Sequence, residues 1–72
     1  MINTRKLKGR IVAAGYTQST LAAAIGMSVN SLNAKVNGNA VFNCDEVEAI
    51  CLALDIFDPV EKCEIFLAES SH

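Results

Sequence analysis

The sequence predicts an all-α fold, a compact domain of four or five helices. Three observations predict it. Apolar residues recur at the three- and four-residue spacing of a buried helical stripe, as in Leu21, Ala22 and Ile25. Small apolar residues (Ala13, Ala14, Ala22, Ala23 and Ala24) favour helix and let helices approach closely. Caps and stops also punctuate the chain at helical intervals: Thr17, Ser28 and Asp58-Pro59 at starts, Gly15, Gly26 and Asn37-Gly38 at ends. Residues 1–72 read as one domain without internal repeat, low-complexity tract or linker. A core this small is marginal, so the helices must pack regularly.

Helix one is expected from about Thr4 to Ala14. Leu7, Ile11 and Ala14 make its apolar stripe, Val12 lies at its edge, and Gly15 stops it. Helix two is expected over Gln18–Ile25 behind a Thr17 N-cap, ending at Gly26, where glycine adopts a left-handed conformation without strain. Helix three starts at Ser28, which caps it, and runs through Leu32 to about Val36. Asn37-Gly38-Asn39 is a turn, and Val41 and Phe42 are expected to drop back into the core. Asn43 or Cys44 opens helix four. Asp45-Glu46 in its first turn suits the helix dipole, and Val47, Ile50, Cys51 and Leu54 form its buried face. Asp58-Pro59 starts a last helix with Cys63, Phe66 and Leu67 on its apolar side. Periodicity leaves an extended Ile65-Phe66-Leu67 segment as the alternative, and the final Glu69-Ser70-Ser71-His72 is expected to fray.

The stretch at about 17–38 is the most informative. Two short helices joined by so tight a turn must cross steeply, and Ala22 lets the second lie close against the first. This is the logic of a helix-turn-helix, whose second helix offers its outer face to the DNA major groove. The net charge of −2 looks wrong for such a role, but its distribution does not. Residues 1–44 carry five basic side chains (Arg5, Lys6, Lys8, Arg10, Lys35) and no acid. Residues 45–72 carry eight acids against Lys62. The helix-turn-helix therefore lies in the positive half, where phosphates would lie.

Other function classes find little support. The three cysteines are odd in number and lack a CxxC arrangement. Cys44 and Cys51 sit roughly 10 Å apart along one helix, too far for a disulfide. They read as buried thiols acting as small hydrophobes in a reducing compartment rather than as a redox sensor or metal site. There is no His–Cys–Asp constellation, no phosphate loop and no ligand set, so no enzyme, metal or cofactor is expected. Apolar runs are too short to span a membrane and no signal peptide is visible, so a cytoplasmic location is expected.

With these elements placed, the chain resembles the Cro/repressor family of phage-type helix-turn-helix regulators over about residues 4–57. The matching residues are Gln18, Leu21-Ala22, Ile25-Gly26, Ser28, Leu32 and Asn37-Gly38. Phe42, Asp45-Glu46-Val47, Ile50-Cys51 and Leu54 fit a subset of small phage-encoded members. The resemblance implies a lambda-repressor-like fold that binds double-stranded operator DNA, usually as a homodimer. It implies that Gln18 meets a phosphate through its side chain and backbone N–H, as helix N-termini do. It implies that Val29, Asn30, Asn33 and Ala34 face base edges: Asn can bond bidentately to adenine, and Val or Ala can pack on a thymine methyl. Thr17 and Ser28 are caps first, with phosphate contact compatible; Ser31 lies to the side. Asn37 and Asn39 are turn residues first, with backbone phosphate contact as a second use. Lys35 departs from the family's apolar preference; its stem covers core while its ammonium reaches a phosphate, and Val36 takes the buried role. Val29 and Ala34 stand where polar residues often read bases.

The best reading is a sequence-specific DNA-binding transcriptional regulator, a phage or prophage repressor acting by operator occupancy. The rival is a protein-interaction module, antirepressor-like or an assembly factor, on the same fold without DNA affinity. The expected dimer surface follows Leu54, with Ile56, Phe57, Phe66 and Leu67 as candidate contacts.

Overall fold

Five polar side chains start five helices in a computed structural model of the protein, which describes residues 2–67. Asn3 opens α1 (Thr4–Ala13), Thr17 opens α2 (Gln18–Ile25) and Ser28 opens α3 (Val29–Val36). Asn43 opens α4 (Cys44–Leu54), and Asp58 opens α5 (Pro59–Phe66) with proline at its first position. Each cap accepts a hydrogen bond from a backbone N–H of the first turn, which has no partner within the helix.

The ends share a mechanism too. The first four helices stop at a left-handed residue: Gly15, Gly26, Gly38 and, unexpectedly, Asp55. The residue after each donates back five positions, Tyr16 to Ile11, Met27 to Ala22, Asn39 to Ala34 and Ile56 to Cys51, at 2.8–3.0 Å. Terminal carbonyls are thereby satisfied while the chain reverses within two or three residues.

Every helix contributes to one core. Leu7 and Ile11, Leu21 and Ala22, Leu32 and Val36, Ile50, Cys51 and Leu54, Ile56, and Ile65 and Phe66 are buried. No polar or charged side chain is buried with them among the described residues. α2 packs on α3 and α4, and α1 packs on α3 and α5. No helix among the described residues is long and apolar enough to cross a membrane.

Several expectations are corrected. Ala14 leaves the stripe of α1, because the helix ends before it and turns it to solvent; Val12 is exposed as well. Val41 is 87% exposed and takes no part in the core. Phe42 alone returns, half-buried, its ring 5.8 Å from Phe66 and nearly perpendicular to it. The segment 65–66 is helical, not extended, but its inner side is Ile65 and Phe66. Cys63 and Leu67 face outward, because the N–H of Asn3 holds the Ile65 carbonyl and fixes the helix in that rotation. Ile56 and Phe66 close the core, which leaves Phe57 and Leu67 of the four expected dimer contacts on the surface. Of the three thiols only Cys51 is buried, and burial pushes its pKa up; Cys44 and Cys63 are exposed. The expected fraying of 69–72 lies outside the described residues.

The two charge blocks do not face apart; they interlock. Lys6 bonds Glu64 at 2.8 Å, and Lys35 bonds both oxygens of Glu46 at 2.7 and 2.8 Å. Arg10 makes the widest connection. Its Nη2 donates to the carbonyls of Leu54 and Asp55 at 3.0 and 3.4 Å, capping the end of α4. Its Nε lies 3.0 Å from Glu61 Oε2, an ion pair without hydrogen-bond alignment.

Arg10→Met should therefore cost about 1.5–3 kcal/mol in urea unfolding, the range for hydrogen bonds from a charged donor. Lys6→Met should leave the midpoint nearly unchanged, because exposed pairs contribute little. Equal shifts for the two variants would remove the special role of Arg10. A pH dependence follows from Glu46. Hydrogen bonds from Lys35, then from the Asn43 N–H, hold its carboxyl below the usual carboxylate range. A carboxyl depressed in the folded state contributes its stability above the ordinary value and loses it as pH falls through the folded one. Parent and Glu46→Gln should thus differ in urea midpoint at neutral pH and converge below about pH 4. A gap that stays constant down to about pH 2 would contradict the pairing.

Candidate nucleic-acid interface

The first turn of α2 is held by a reciprocal pair of threonines. Thr20 N donates to Thr17 Oγ1 at 3.1 Å, and Thr17 N donates to Thr20 Oγ1 at 2.8 Å. This capping box fixes where the helix begins and places Gln18, half-buried, at its first position. The N-terminal amides of α2 have no helical acceptor and carry the positive end of its dipole. Thr20 was not expected here, although its place three residues after Thr17 is readable from sequence.

Gly26 then reverses the chain, with φ of 74° and ψ of 32°. The Met27 N–H bonds the Ala22 carbonyl at 2.9 Å, and Ser28 caps α3 by accepting from Ser31 N at 3.2 Å. Leu32 and Val36 anchor α3 in the core with no exposed surface. That anchoring decides which residues turn outward. Val29, Asn30, Ser31 and Asn33 are exposed, while Ala34 is half-buried. The outward face of α3 is thus neutral, with two amides, one hydroxyl and one branched methyl pair. Asn33 accepts from the side chain of Asn37 at 3.0 Å, which orients both amides and leaves Asn30 with no side-chain hydrogen bond among the described residues. Asn37 caps the end of α3 and Gly38 follows at φ 83°. Asn39 donates to Ala34, so the turn satisfies itself; Asn37 and Asn39 stay exposed.

Lys35 is half-buried as expected, and Val36 fills the buried position. The Lys35 ammonium, however, rests on Glu46 in the first turn of α4. Glu46 is in turn fixed by its own capping box, accepting from Asn43 N at 3.0 Å while its N–H bonds Asn43 Oδ1 at 2.8 Å. The Asn43-x-x-Glu46 spacing announces that box in the sequence; the second use of Glu46, holding Lys35, needs α4 to pack across the end of α3. With Lys6 and Arg10 paired as well, Arg5 and Lys8 are the two cations of residues 1–44 outside an ion pair among the described residues. No three His, Cys, Asp or Glu among the described residues gather to hold a metal ion.

This arrangement is built from helix caps, a glycine turn and the neutral outer face of α3. It offers a helix N-terminus for anions and, one turn on, a rigid helix whose small polar side chains point away from the core. A sequence model of the Cro/C1-type HTH DNA-binding domain matches residues 6–57, from within α1 to just past α4. Searches of curated proteins and of solved structures found no match. The matched region holds α2, the Gly26 turn and α3 in one span and covers well over half of the sequence: the protein belongs to the Cro/C1-type helix-turn-helix DNA-binding domains.

Proposed function

We propose that this DNA-binding regulator is a phage- or prophage-type repressor. It occupies a palindromic operator as a homodimer and so blocks polymerase. The observation that carries the reading is the outer face of α3: Asn30 and Asn33, three residues apart, are exposed on a helix that Leu32 and Val36 lock to the core. Three residues apart on a helix, they address neighbouring base pairs, with Val29 and Ala34 available to thymine methyls. Thr17, Gln18 and the α2 amides take one phosphate; Ser28, Ser31, Asn37 and Asn39 lie where the backbone would pass on either side of α3. Two half-sites roughly 34 Å apart need two copies, since each copy supplies one α3. The repressor role and the phage origin are supported by the resemblance of residues 4–57 alone.

One observation favours the rival interaction module. Lys6, Arg10 and Lys35 are already matched by acids, so the protein offers phosphates less free charge than its sequence suggests. The same observation sharpens the DNA reading. With little non-specific attraction, specificity must come from contacts with base edges.

Asn30→Ala or Asn33→Ala should each cost about 1–3 kcal/mol on the operator and much less on scrambled duplex. Gln18→Ala should weaken both alike, because a phosphate contact carries no base identity. The operator comes first from selection on random duplex DNA, then paired titrations at one salt concentration, with thermal melts to check folding. Asn variants that bind the operator like the parent would bring the interaction module forward. The position of Lys35 has its own test. Glu46→Gln keeps the cap, since Gln at this position still reaches the Asn43 N–H, but releases the ammonium. Binding should tighten, and the slope of log K against log salt should steepen by up to about 0.9. An unchanged slope would take Lys35 out of the interface.

A further inference from the structure

Residues of α4, α5 and the loop between α3 and α4 line an apolar groove of about 720 Å³. That size suits one small organic molecule. Val41, Phe42, Val47 and Phe66 are among its apolar residues. Its charged residues are Glu48 from α4 and Lys62 from α5, and neither enters an ion pair among the described residues. Two thiols line it as well. Cys44, the first residue of α4, and Cys63, on α5, are both free and exposed. Cys51, the third, is buried and takes no part in the lining. Nucleophiles from two helices, apolar surface and one unpaired cation thus converge on a single cavity.

We propose that this groove is a covalent binding site for one apolar α,β-unsaturated ketone, captured by a thiol of the Cys44 and Cys63 pair. Each feature of the groove selects a part of that ligand. The apolar lining takes a hydrocarbon chain, whose removal from water is favourable. The thiols are strong carbon nucleophiles and select an electrophilic carbon. The Lys62 ammonium is a donor for the carbonyl oxygen, which gains negative charge as sulfur adds. In that step the sulfur bonds the β-carbon, and the π pair of the C=C bond moves through the α-carbon to the oxygen. The thiol proton, passed through water, ends on the α-carbon. No group leaves, and the addition needs neither oxidant nor reductant. A cavity of this size holds one such ligand, so an adduct at either cysteine fills the space beside the other. Capture is therefore once per chain, although two thiols are exposed.

The test compares pentyl vinyl ketone with methyl vinyl ketone on the reduced full chain, read by intact mass and peptide mapping. The two share one reactive head and differ by four methylenes, so the pentyl compound should gain at least about tenfold in rate on the protein, relative to the same comparison on glutathione. It should add once per chain under conditions where iodoacetamide, small and polar, modifies both exposed cysteines. Cys44→Ser and Cys63→Ser should each still take one pentyl adduct, and the double variant none. Ethyl pentyl ketone, which has no reactive carbon, should slow the capture by occupying the groove. Lys62→Met should slow capture several-fold and leave alkylation by iodoacetamide unchanged, because only the ketone develops charge on its oxygen. Thermal melts check that each variant is folded. No advantage for the pentyl chain, two independent additions, capture by the double variant, or capture by Lys62→Met at the parent's rate would each overturn the proposal. None of these residues lies on the outer face of α3, and no readout uses DNA, so the outcome is independent of the operator reading.

Discussion

A single guanidinium joins the two ends of this chain. Arg10, on α1, donates to the carbonyls of Leu54 and Asp55 where α4 ends and lies against Glu61 on α5. The need for it is local. α4 stops at Asp55 in a left-handed conformation, and the last carbonyls of a helix lack internal donors. Arginine offers several donors in a fixed fork and keeps its charge, so one side chain can serve two carbonyls and a carboxylate. The core is wholly apolar among the described residues, and apolar contact alone is not directional. Polar contacts at the rim therefore orient the helices, and Arg10 orients three of them. α2 and α3 rest on that frame, α2 against α4 and α3 against α1.

The same rim contacts change what the charge distribution means. Five basic residues before residue 45 and eight acids from residue 45 onward describe a polar molecule only if the halves stay apart. The fold wraps the acidic C-terminal helices around the basic N-terminal ones, and Glu46, Glu61 and Glu64 take up Lys35, Arg10 and Lys6. An acidic overall balance and a DNA-binding fold thus coexist without a strongly basic face. In the proposed reading, the neutral outer surface of α3 would bear the discrimination among sequences, and the helix N-termini the positioning.

Much of the site was legible because its signals are local. Thr17, Gly26 and Ser28 state where α2 ends and α3 begins, and the structure follows them to the residue. Leu32 and Val36 identify the inner side of α3, so Asn30 and Asn33 are outward by subtraction. The ion pair on Lys35 was not legible, although the Asn43–Glu46 box was. A carboxylate eleven residues away becomes a partner only when α4 folds back. α5 shows the same limit. Its cap and proline are plain in the sequence, but an eight-residue helix with apolar residues on several sides fits more than one rotation. A backbone bond from Asn3 to Ile65 selects one of them and leaves Val60, Cys63 and Leu67 outside.

What this sequence determined by itself is everything a single turn of chain can encode. That includes the caps at Thr17, Ser28 and Asp58, the left-handed stops at the glycines and the helix-turn-helix with its outward amides. These depend on groups within four or five residues of each other, so the one-dimensional record suffices. The tertiary structure decided which cations remain unpaired, which face of α5 meets the core, and that Val41 stays out while Phe42 returns. Those outcomes depend on residues brought together from distant positions, as Lys6 and Glu64 are across 58 residues. No local preference distinguishes a paired lysine from an unpaired one, or a buried isoleucine from its exposed apolar neighbour; only the packed arrangement of the other helices does.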